Sequence, residues 1–273
     1  MSIQKVIPPR LHILSAREAK TALILRKGPS KQVAVIGWNR EDDSFAVGQW
    51  LKGTIYPYRC DISPDGKHWL YFAMKKGEPY TALARTPYLK AMDFYGNMGT
   101  WDGGGLFLDH ERYWLNADPA YCEDVRRESV FQVIPALPGG GENHRTDERG
   151  VYFSRLMRDG WHMAGDKGWG PFETAVFIKQ VNGSWNLEKR FCVTNGRQAG
   201  KGSYHEEYAL ISRKTLATVP FPEWEWADVD DGRIVWAEAG RIMAGLPRPS
   251  GLEEVKLLYD TNPLAFEELA APY

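Results

Sequence analysis

Short strand-like segments separated by turns recur throughout this chain, and they constrain its fold more than any other feature. The segments are rich in β-branched and aromatic residues and follow one another about every ten residues, which is typical of all-β sandwiches, barrels and propellers. Aromatic residues favour pleated, half-buried surfaces, and the chain has 11 Trp, 13 Tyr and 11 Phe. The first four predicted strands are Leu11–Ala16, Thr21–Lys27, Gln32–Trp38 and Ser44–Trp50.

One copy of the repeat is especially clear, because two predicted strands flank a turn of recognisable chemistry. The strands are Arg59–Ser63 and His68–Ala73, and the turn is Pro64–Lys67. Proline sets the first φ angle of such a turn, and Gly66 accepts a positive φ. Two more strands are expected in this group at Tyr80–Arg85 and Tyr88–Tyr95, although Leu89–Tyr95 could instead form a short helix.

Three looser copies of the same strand–turn–strand unit indicate the fold class. They are Gly105–Arg112 with Tyr113–Leu115, Val151–Arg155 with Trp161–Met163 after the turn Arg158–Gly160, and Asp228–Arg233 with Ile234–Ala237. The turns between first and second strands then fall near positions 18, 65, 110, 159 and 231. Most of the steps between them are about 45 to 50 residues, the length of one propeller blade.

The predicted fold is therefore all-β: a single small β-propeller of five blades, with six as the alternative count, formed by residues 1–273 as one domain. The longer fourth step predicts an insertion with a hairpin turn at Val181–Ser184 and the segment Tyr204–Val219. Closure of the ring leaves only short strand edges. We expect Leu11–Ala16 or Val255–Tyr259 to supply the closing strand, and the tail Asn262–Tyr273 to wrap the outside.

The string Ser63–Lys67 and the strand after it resemble the repeat of TolB-type propellers, in which such a turn joins the innermost strand of a blade to the next. Asp231-Gly232-Arg233 matches the same repeat in part. Over nearly its full length the chain also resembles a group of bacterial propeller-like proteins with no assigned activity. Phrases such as Arg26–Lys31, Arg59–Asp61 and Glu223–Asp228 carry that resemblance. It implies a propeller fold and leaves the function open.

Charge and cysteine content narrow the classes of partner and location. The 34 basic and 35 acidic residues give a net charge of −1 and are mixed along the chain, which argues against binding to nucleic acid or to an anionic membrane. No segment resembles a signal peptide or a membrane span, so a cytoplasmic location is expected. The three cysteines lack the short spacing of a disulfide framework or zinc site.

Motifs for metal or phosphate binding are weak, so no cofactor and no metal are expected. The six histidines include no pair at i, i+2 or i, i+4 and no cysteine at short range. The strings Gly103–Gly105 and Gly139–Gly141 lack the Lys-Ser/Thr ending and the following helix of a phosphate-binding loop. Both are predicted to be flexible turns.

Carboxylates near the mouth of a propeller channel are the candidate catalytic residues, because glycoside hydrolysis uses an acid pair. Trp101, His205 and Trp226 are the neighbours that could bind a ligand by stacking. A structural interpretation competes with this one: Asp61 and Asp228 would tie adjacent blades together by hydrogen bonds. The candidate acids are Asp61, Asp102, Glu206 and Asp228.

Without a catalytic signature, the leading functional hypothesis is a non-catalytic binding or scaffold propeller for an unknown protein or small-molecule ligand. Its predicted binding face includes the long non-periodic loops Ala117–Arg149 and Asn195–Ser203. The alternatives are a hydrolase or lyase acting on a carbohydrate or other polar small molecule, and a purely structural accessory protein.

Overall fold

The predicted strand-forming segments fold into five successive β-sheets in the computed structural model, which describes residues 7–29, 31–96, 99–134, 136–137, 148–166, 174–193 and 203–273. The fold is an all-β, five-bladed β-propeller, as the repeat spacing predicts. Cα packing divides the chain into two compact units. The N-terminal unit comprises residues 13–155 and 265–273, and the C-terminal unit comprises residues 1–12 and 156–264. The single-domain assignment stays a prediction.

The first three sheets are built from strands that follow closely in the chain. The first sheet contains β1 (Arg10–Ser15), β2 (Thr21–Lys27), β3 (Gln32–Asn39) and β4 (Ser44–Lys52) in chain order. The second has β5 (Thr54–Ile55), β6 (Asp61–Ile62), β7 (His68–Lys75), β8 (Glu78–Arg85), β9 (Ala91–Gly96) and β12 (Asp124–Arg127). The third has β10 (Gly105–Phe107), β11 (Arg112–Leu115) and β13 (Gln132–Ile134), with β11 and β13 parallel.

Continuous apolar runs form the central strands of the N-terminal unit because both faces of these strands are buried. In β2 the five residues from Ala22 to Arg26 are all buried, and in β7 those from Trp69 to Ala73 are. The rings of Trp69 and Tyr71 stack with centroids 4.4 Å apart. The indole N–H of Trp69 donates to the carbonyl of Tyr88, and the hydroxyl of Tyr71 donates to the carbonyl of Leu89, both at 2.7 Å. The polar groups of these two buried side chains are therefore satisfied.

The fourth and fifth sheets lie in the C-terminal unit. The fourth contains β14 (His162–Asp166), β15 (Thr174–Gln180), β16 (Trp185–Val193), β17 (Tyr204–Ser212) and β18 (Thr218–Phe221). The fifth contains β19 (Trp226–Asp230), β20 (Arg233–Glu238), β21 (Arg241–Arg248) and β22 (Gly251–Asp260). Between them the buried indole of Trp224 stacks on Phe221 and on Trp236, with ring centroids 4.0 and 4.8 Å apart.

The strand predicted at Val151–Arg155 is wrong, because this segment lies in the helix α1 (Glu148–Arg158). Val151, Tyr152, Arg155 and Leu156 are buried at i, i+1, i+4, i+5 spacing, which puts them on one helical face, and the adjacent Phe153 is buried as well. Tertiary burial has overridden the β-propensity of Val-Tyr-Phe. No helix in the described residues combines the length and apolarity needed to cross a membrane.

Two further predictions about the fourth blade are wrong. The turn at Arg158–Gly160 ends α1 and precedes β14, so it does not join first and second strands. Tyr204–Val219 is not an insertion, because it forms β17 and part of β18 in the regular ladder of the fourth sheet. The hairpin turn at Val181–Ser184 is confirmed between β15 and β16. The fourth sheet has five strands, and α1 lies in the chain before it.

No terminal strand closes the ring among the described residues. Leu11–Ala16 falls in β1, which pairs with β2, and Val255–Tyr259 falls in β22, which pairs with β21. Each terminal sheet is therefore made from its own consecutive strands. Within the C-terminal unit, the backbone N–H of Leu11 donates to the Glu225 carboxylate, just before β19, at 3.0 Å.

The C-terminal tail packs on the outer strand of the first sheet, as predicted. The side-chain amide of Gln49 in β4 donates to the carbonyl of Leu269 at 2.7 Å, and the ring of Phe266 meets Trp50 edge-on at 5.9 Å. Of the two predicted binding loops, residues 135, 138–147 and 195–202 lie outside the described residues, and so do Gly139–Gly141. Gly103–Gly105 is buried and leads into β10, so it is a packed segment.

Replacing Glu225 by Gln should change how stability depends on pH. Burial raises the pKa of Glu225 to about 7, so the folded state holds its proton more tightly than the unfolded state. Stability from this group is therefore present below pH ~4.5 and is lost as the pH rises to about 7, by at most about 3 kcal/mol. Glu225→Gln keeps an acceptor for Leu11 and removes the ionisation.

Urea denaturation of both proteins at pH 5 and pH 8 checks this expectation. At pH 8 the variant should have a higher free energy of unfolding than the wild type, and this difference should be smaller at pH 5. Equal differences in unfolding free energy at the two pH values would show that Glu225 does not titrate in this range.

Candidate functional site

A groove of about 690 Å³ opens beside the Pro64–Lys67 turn of the N-terminal unit. We call it the turn groove. Its volume falls within the roughly 300–1,000 Å³ of small-molecule sites. It is lined by Thr21, Asp65, Gly66, Lys67, His68, Arg85, Thr86, Tyr88, Pro272 and Tyr273.

The floor of the turn groove is a turn fixed by its own side chains. The hydroxyl of Ser63 donates to Asp65 Oδ1 at 2.6 Å, and the backbone N–H of Lys67 donates to the same oxygen at 3.1 Å. Gly66 has φ +73°, and a Cβ there would lie 2.6 Å from Cβ of Thr21. Only glycine fits that combination of conformation and close approach.

The end of β8 holds this turn in place from the other side. The hydroxyl of Thr86 donates to the carbonyl of Gly66 at 2.6 Å, and its N–H donates to the carbonyl of Lys67 at 2.9 Å. In the β7–β8 ladder, His68 lies directly opposite Arg85. The groove therefore rests on a regular hairpin, which makes its floor rigid.

Aromatic residues form the far wall of the turn groove. The guanidinium of Arg85 lies over the ring of Tyr273, 4.7 Å from its centroid, and the ring of Tyr88 meets Tyr273 edge-on at 6.0 Å. The hydroxyl of Tyr273 accepts the N–H of Arg85 at 3.1 Å and donates to the carbonyl of Lys90 at 2.8 Å. Arg85 is thus held against a ring while it stays exposed.

The turn groove has a positive balance of charge. Lys67 and Arg85 are exposed cations, and Asp65, the one carboxylate side chain among the lining residues, lies 3.5 Å from Nζ of Lys67. Burial works against ionisation of Asp65, but hydrogen bonds from Ser63 and Lys67 outweigh it and lower the pKa of this carboxyl. Burial lowers the pKa of His68, so its imidazole is neutral at pH 7.

The candidate acid Asp61 is fully buried in β6 and binds backbone. Its Oδ2 accepts the N–H of Phe107 in β10 at 2.8 Å, which is the sheet-to-sheet tie that the structural interpretation predicts. Asp102 is half-buried in the loop before β10, and its carbonyl accepts Nη1 of the buried Arg59 at 2.6 Å. Its neighbour Trp101 is 75% exposed.

In the C-terminal unit, Glu206 and Asp228 each pair with a lysine. Oε1 of Glu206 lies 3.6 Å from Nζ of Lys189, with both side chains almost fully buried, and Tyr208 donates its hydroxyl to Glu206 Oε2 at 2.6 Å. Asp228 accepts a hydrogen bond from Lys179 at 2.7 Å. Both ammonium groups lie over the indole of Trp161, at 4.5 and 5.5 Å from its centroid.

The two remaining predicted ligand-binding residues are buried. Trp226 begins β19 and is 4% exposed, and His205 is 5% exposed in β17. His205 and Glu206 are adjacent in a strand, so their side chains point to opposite faces of the fourth sheet. Sequence neighbours predicted to act together are therefore separated.

No protein-family model matches this chain, and no curated protein sequence matches it either. The candidate site therefore rests on geometry alone. The sequence pattern does not mark Lys67, His68, Arg85 and Tyr88 as a group, because these residues fall at turn and strand positions. Pairing the two predicted strands across their hairpin would have placed His68 beside Arg85.

Removing Lys189 should destabilise the protein, because it leaves Glu206 buried without its counterion. We expect Lys189→Met to lower the unfolding free energy by about 3–5 kcal/mol. The double variant with Glu206→Gln should recover at least half of this loss, since Gln still accepts the Tyr208 hydroxyl. Urea denaturation measures both effects.

The exposed Lys214 in the same unit provides a matched control, and Lys214→Met should change stability by less than about 0.5 kcal/mol. A Lys189→Met variant as stable as this control would contradict the buried ion pair.

Proposed function

We propose that the protein is a non-catalytic binding propeller whose ligand is a small organic anion held in the turn groove. One observation carries this proposal: Lys67 and Arg85 present two exposed cations on a rigid hairpin around a groove of about 690 Å³. A preformed site of this kind loses little conformational entropy on binding.

The chemistry of the lining favours a carboxylate or phosphate ester joined to a flat group. A planar guanidinium binds such anions through paired hydrogen bonds, and stacking on Tyr273 orients Arg85 before a ligand arrives. Lys67, on the turn that forms the floor, adds a second point charge. The ring of Tyr88 offers a surface on which a planar ligand can pack.

The protonation state of the carboxyl in the turn groove favours a binding role over a role in acid–base catalysis. A general acid at neutral pH needs a carboxyl whose pKa is raised, whereas the hydrogen bonds to Asp65 lower its pKa. Asp61, Asp102, Glu206 and Asp228 do not line this groove. The hydrolase or lyase alternative would depend on those residues, three of which hold buried or half-buried structural contacts.

The proposal includes kinship with TolB-type propellers and a cytoplasmic location. The kinship is supported by Ser63–Lys67, which connects β6 to β7 in the second sheet. The location is supported by the cysteines, none of which forms a disulfide. A balanced net charge of −1 supports a small-molecule ligand over nucleic acid or a membrane surface.

Neutralising the groove cations should weaken binding of a small anion. Phenyl phosphate and benzoate serve as probes, with uncharged phenol beside them, and isothermal titration calorimetry on the full chain gives the Kd. We expect one of the two anions to bind and phenol to bind at least about tenfold more weakly. Arg85→Gln and Lys67→Gln should each raise the Kd about tenfold, because each removes a charged hydrogen bond.

Lys75→Gln is the matched control, since Lys75 is an exposed lysine at the far end of the same β7–β8 hairpin. This variant should leave the Kd unchanged. Absence of binding by both anions, or equal loss in the control and the groove variants, would overturn the proposed function.

A further inference from the structure

A thiol, an imidazole and a carboxylate meet on one face of the fourth sheet. Cys192 in β16 lies directly opposite His205 in β17, and Glu207 follows His205 by two residues. Side chains two apart in a strand project to the same face, and so do those of directly opposed residues. The hairpin register therefore brings three different metal-binding groups together.

The donor atoms of these three residues are close enough to share one ion. All lie within 4.8 Å of one another, and Nε2 of His205 lies 3.8 Å from a carboxylate oxygen of Glu207. That separation is too long for a hydrogen bond. It is close to the roughly 3.4 Å expected between two ligands of a tetrahedral zinc ion with bonds of about 2.1 Å.

The surroundings suit a dication. A Cys192 thiolate and the Glu207 carboxylate supply two negative charges, and a neutral imidazole completes the set. Arg190, which lies opposite Glu207 in the ladder, has its own charge balanced by Glu188 at 2.7 Å. His205 is 5% exposed, whereas the side chain of Glu207 is 48% exposed. An ion shared by the two would therefore lie between a buried imidazole and an exposed carboxylate.

We propose that Cys192, His205 and Glu207 bind one Zn²⁺ ion through the thiolate, the imidazole and the carboxylate. Mixed S, N and O donors suit zinc better than Mg²⁺ or Ca²⁺, which take oxygen ligands. Three protein ligands leave the fourth tetrahedral position for water or an exogenous group. Binding releases the thiol proton of Cys192, because the thiolate is the ligand.

A second groove adjoins the proposed site at Glu207. It has a volume of about 230 Å³ and is lined by Glu207 together with Arg190, Ala209 and Pro220. The groove therefore borders the carboxylate ligand, whereas Cys192 and His205 are not among its lining residues. The zinc site lies in the C-terminal unit and is independent of the proposed anion site, whose lining residues all belong to the N-terminal unit.

Titration of the chelator-treated full chain with Co²⁺ tests this proposal, because cobalt reports its ligands by absorption. We expect one Co²⁺ per chain, with a thiolate-to-cobalt charge-transfer band, the visible bands of four-coordinate cobalt, and displacement by Zn²⁺. Cys192→Ser should abolish the charge-transfer band. Cys122→Ser is the matched control, since Cys122 is a half-buried cysteine of the other unit, and it should retain the band.

Glu207→Gln keeps the test decisive if Cys192→Ser fails to fold, because Glu207 is about half exposed. This variant should weaken Co²⁺ affinity at least about tenfold while its melting temperature in chelator stays that of the wild type. Zn²⁺ should raise the melting temperature of the wild type more than that of the variant. Absence of a charge-transfer band, its survival in Cys192→Ser, or unchanged affinity in Glu207→Gln would overturn the proposal.

Discussion

Buried carboxylates that bind across sheets are the interactions on which the N-terminal unit depends. Asp61 in β6 accepts the N–H of Phe107 in the third sheet, and Asp93 in β9 accepts the hydroxyl of Tyr113 in β11 together with two backbone N–H groups. Both are fully buried, so each bond acts without competition from water. Since the Ser63–Lys67 turn follows β6 at once, the position of Asp61 also sets the position of the turn groove.

The anion site proposed in the same unit depends on a fixed backbone. Long cationic side chains lose rotamer entropy when they are immobilised on a ligand. Stacking of Arg85 on Tyr273 restricts one of them in advance, and the hydrogen bonds around Asp65 fix the backbone that carries Lys67. The groove thereby combines a rigid base with charges at its rim.

The residue types of strands and turns made most of the fold predictable. The parts that were not predicted depend on contacts between residues far apart in the chain. The turn at Pro64–Lys67 and the pairing around Asp231-Gly232 follow from local residue types, and both are found where predicted. The helix α1 could not be predicted in this way. Its buried face shows a helical period, but the β-prone Val-Tyr-Phe within it gives a competing local signal. Only tertiary packing decides between the two.

The segment His205–Tyr208 shows how far site prediction can go. Its polar composition indicates a special role, yet the period of a strand divides it between two environments. Glu206 and Tyr208 face inward to Lys189, where the ion pair is part of the core. His205 and Glu207 face the other way, beside Cys192, which is 13 residues earlier in the chain. Grouping residues by sequence adjacency joined His205 to Glu206, whereas grouping them by face and hairpin register joins His205 to Cys192. Candidate sites in β-proteins are therefore better sought along one face of a paired hairpin than along one strand.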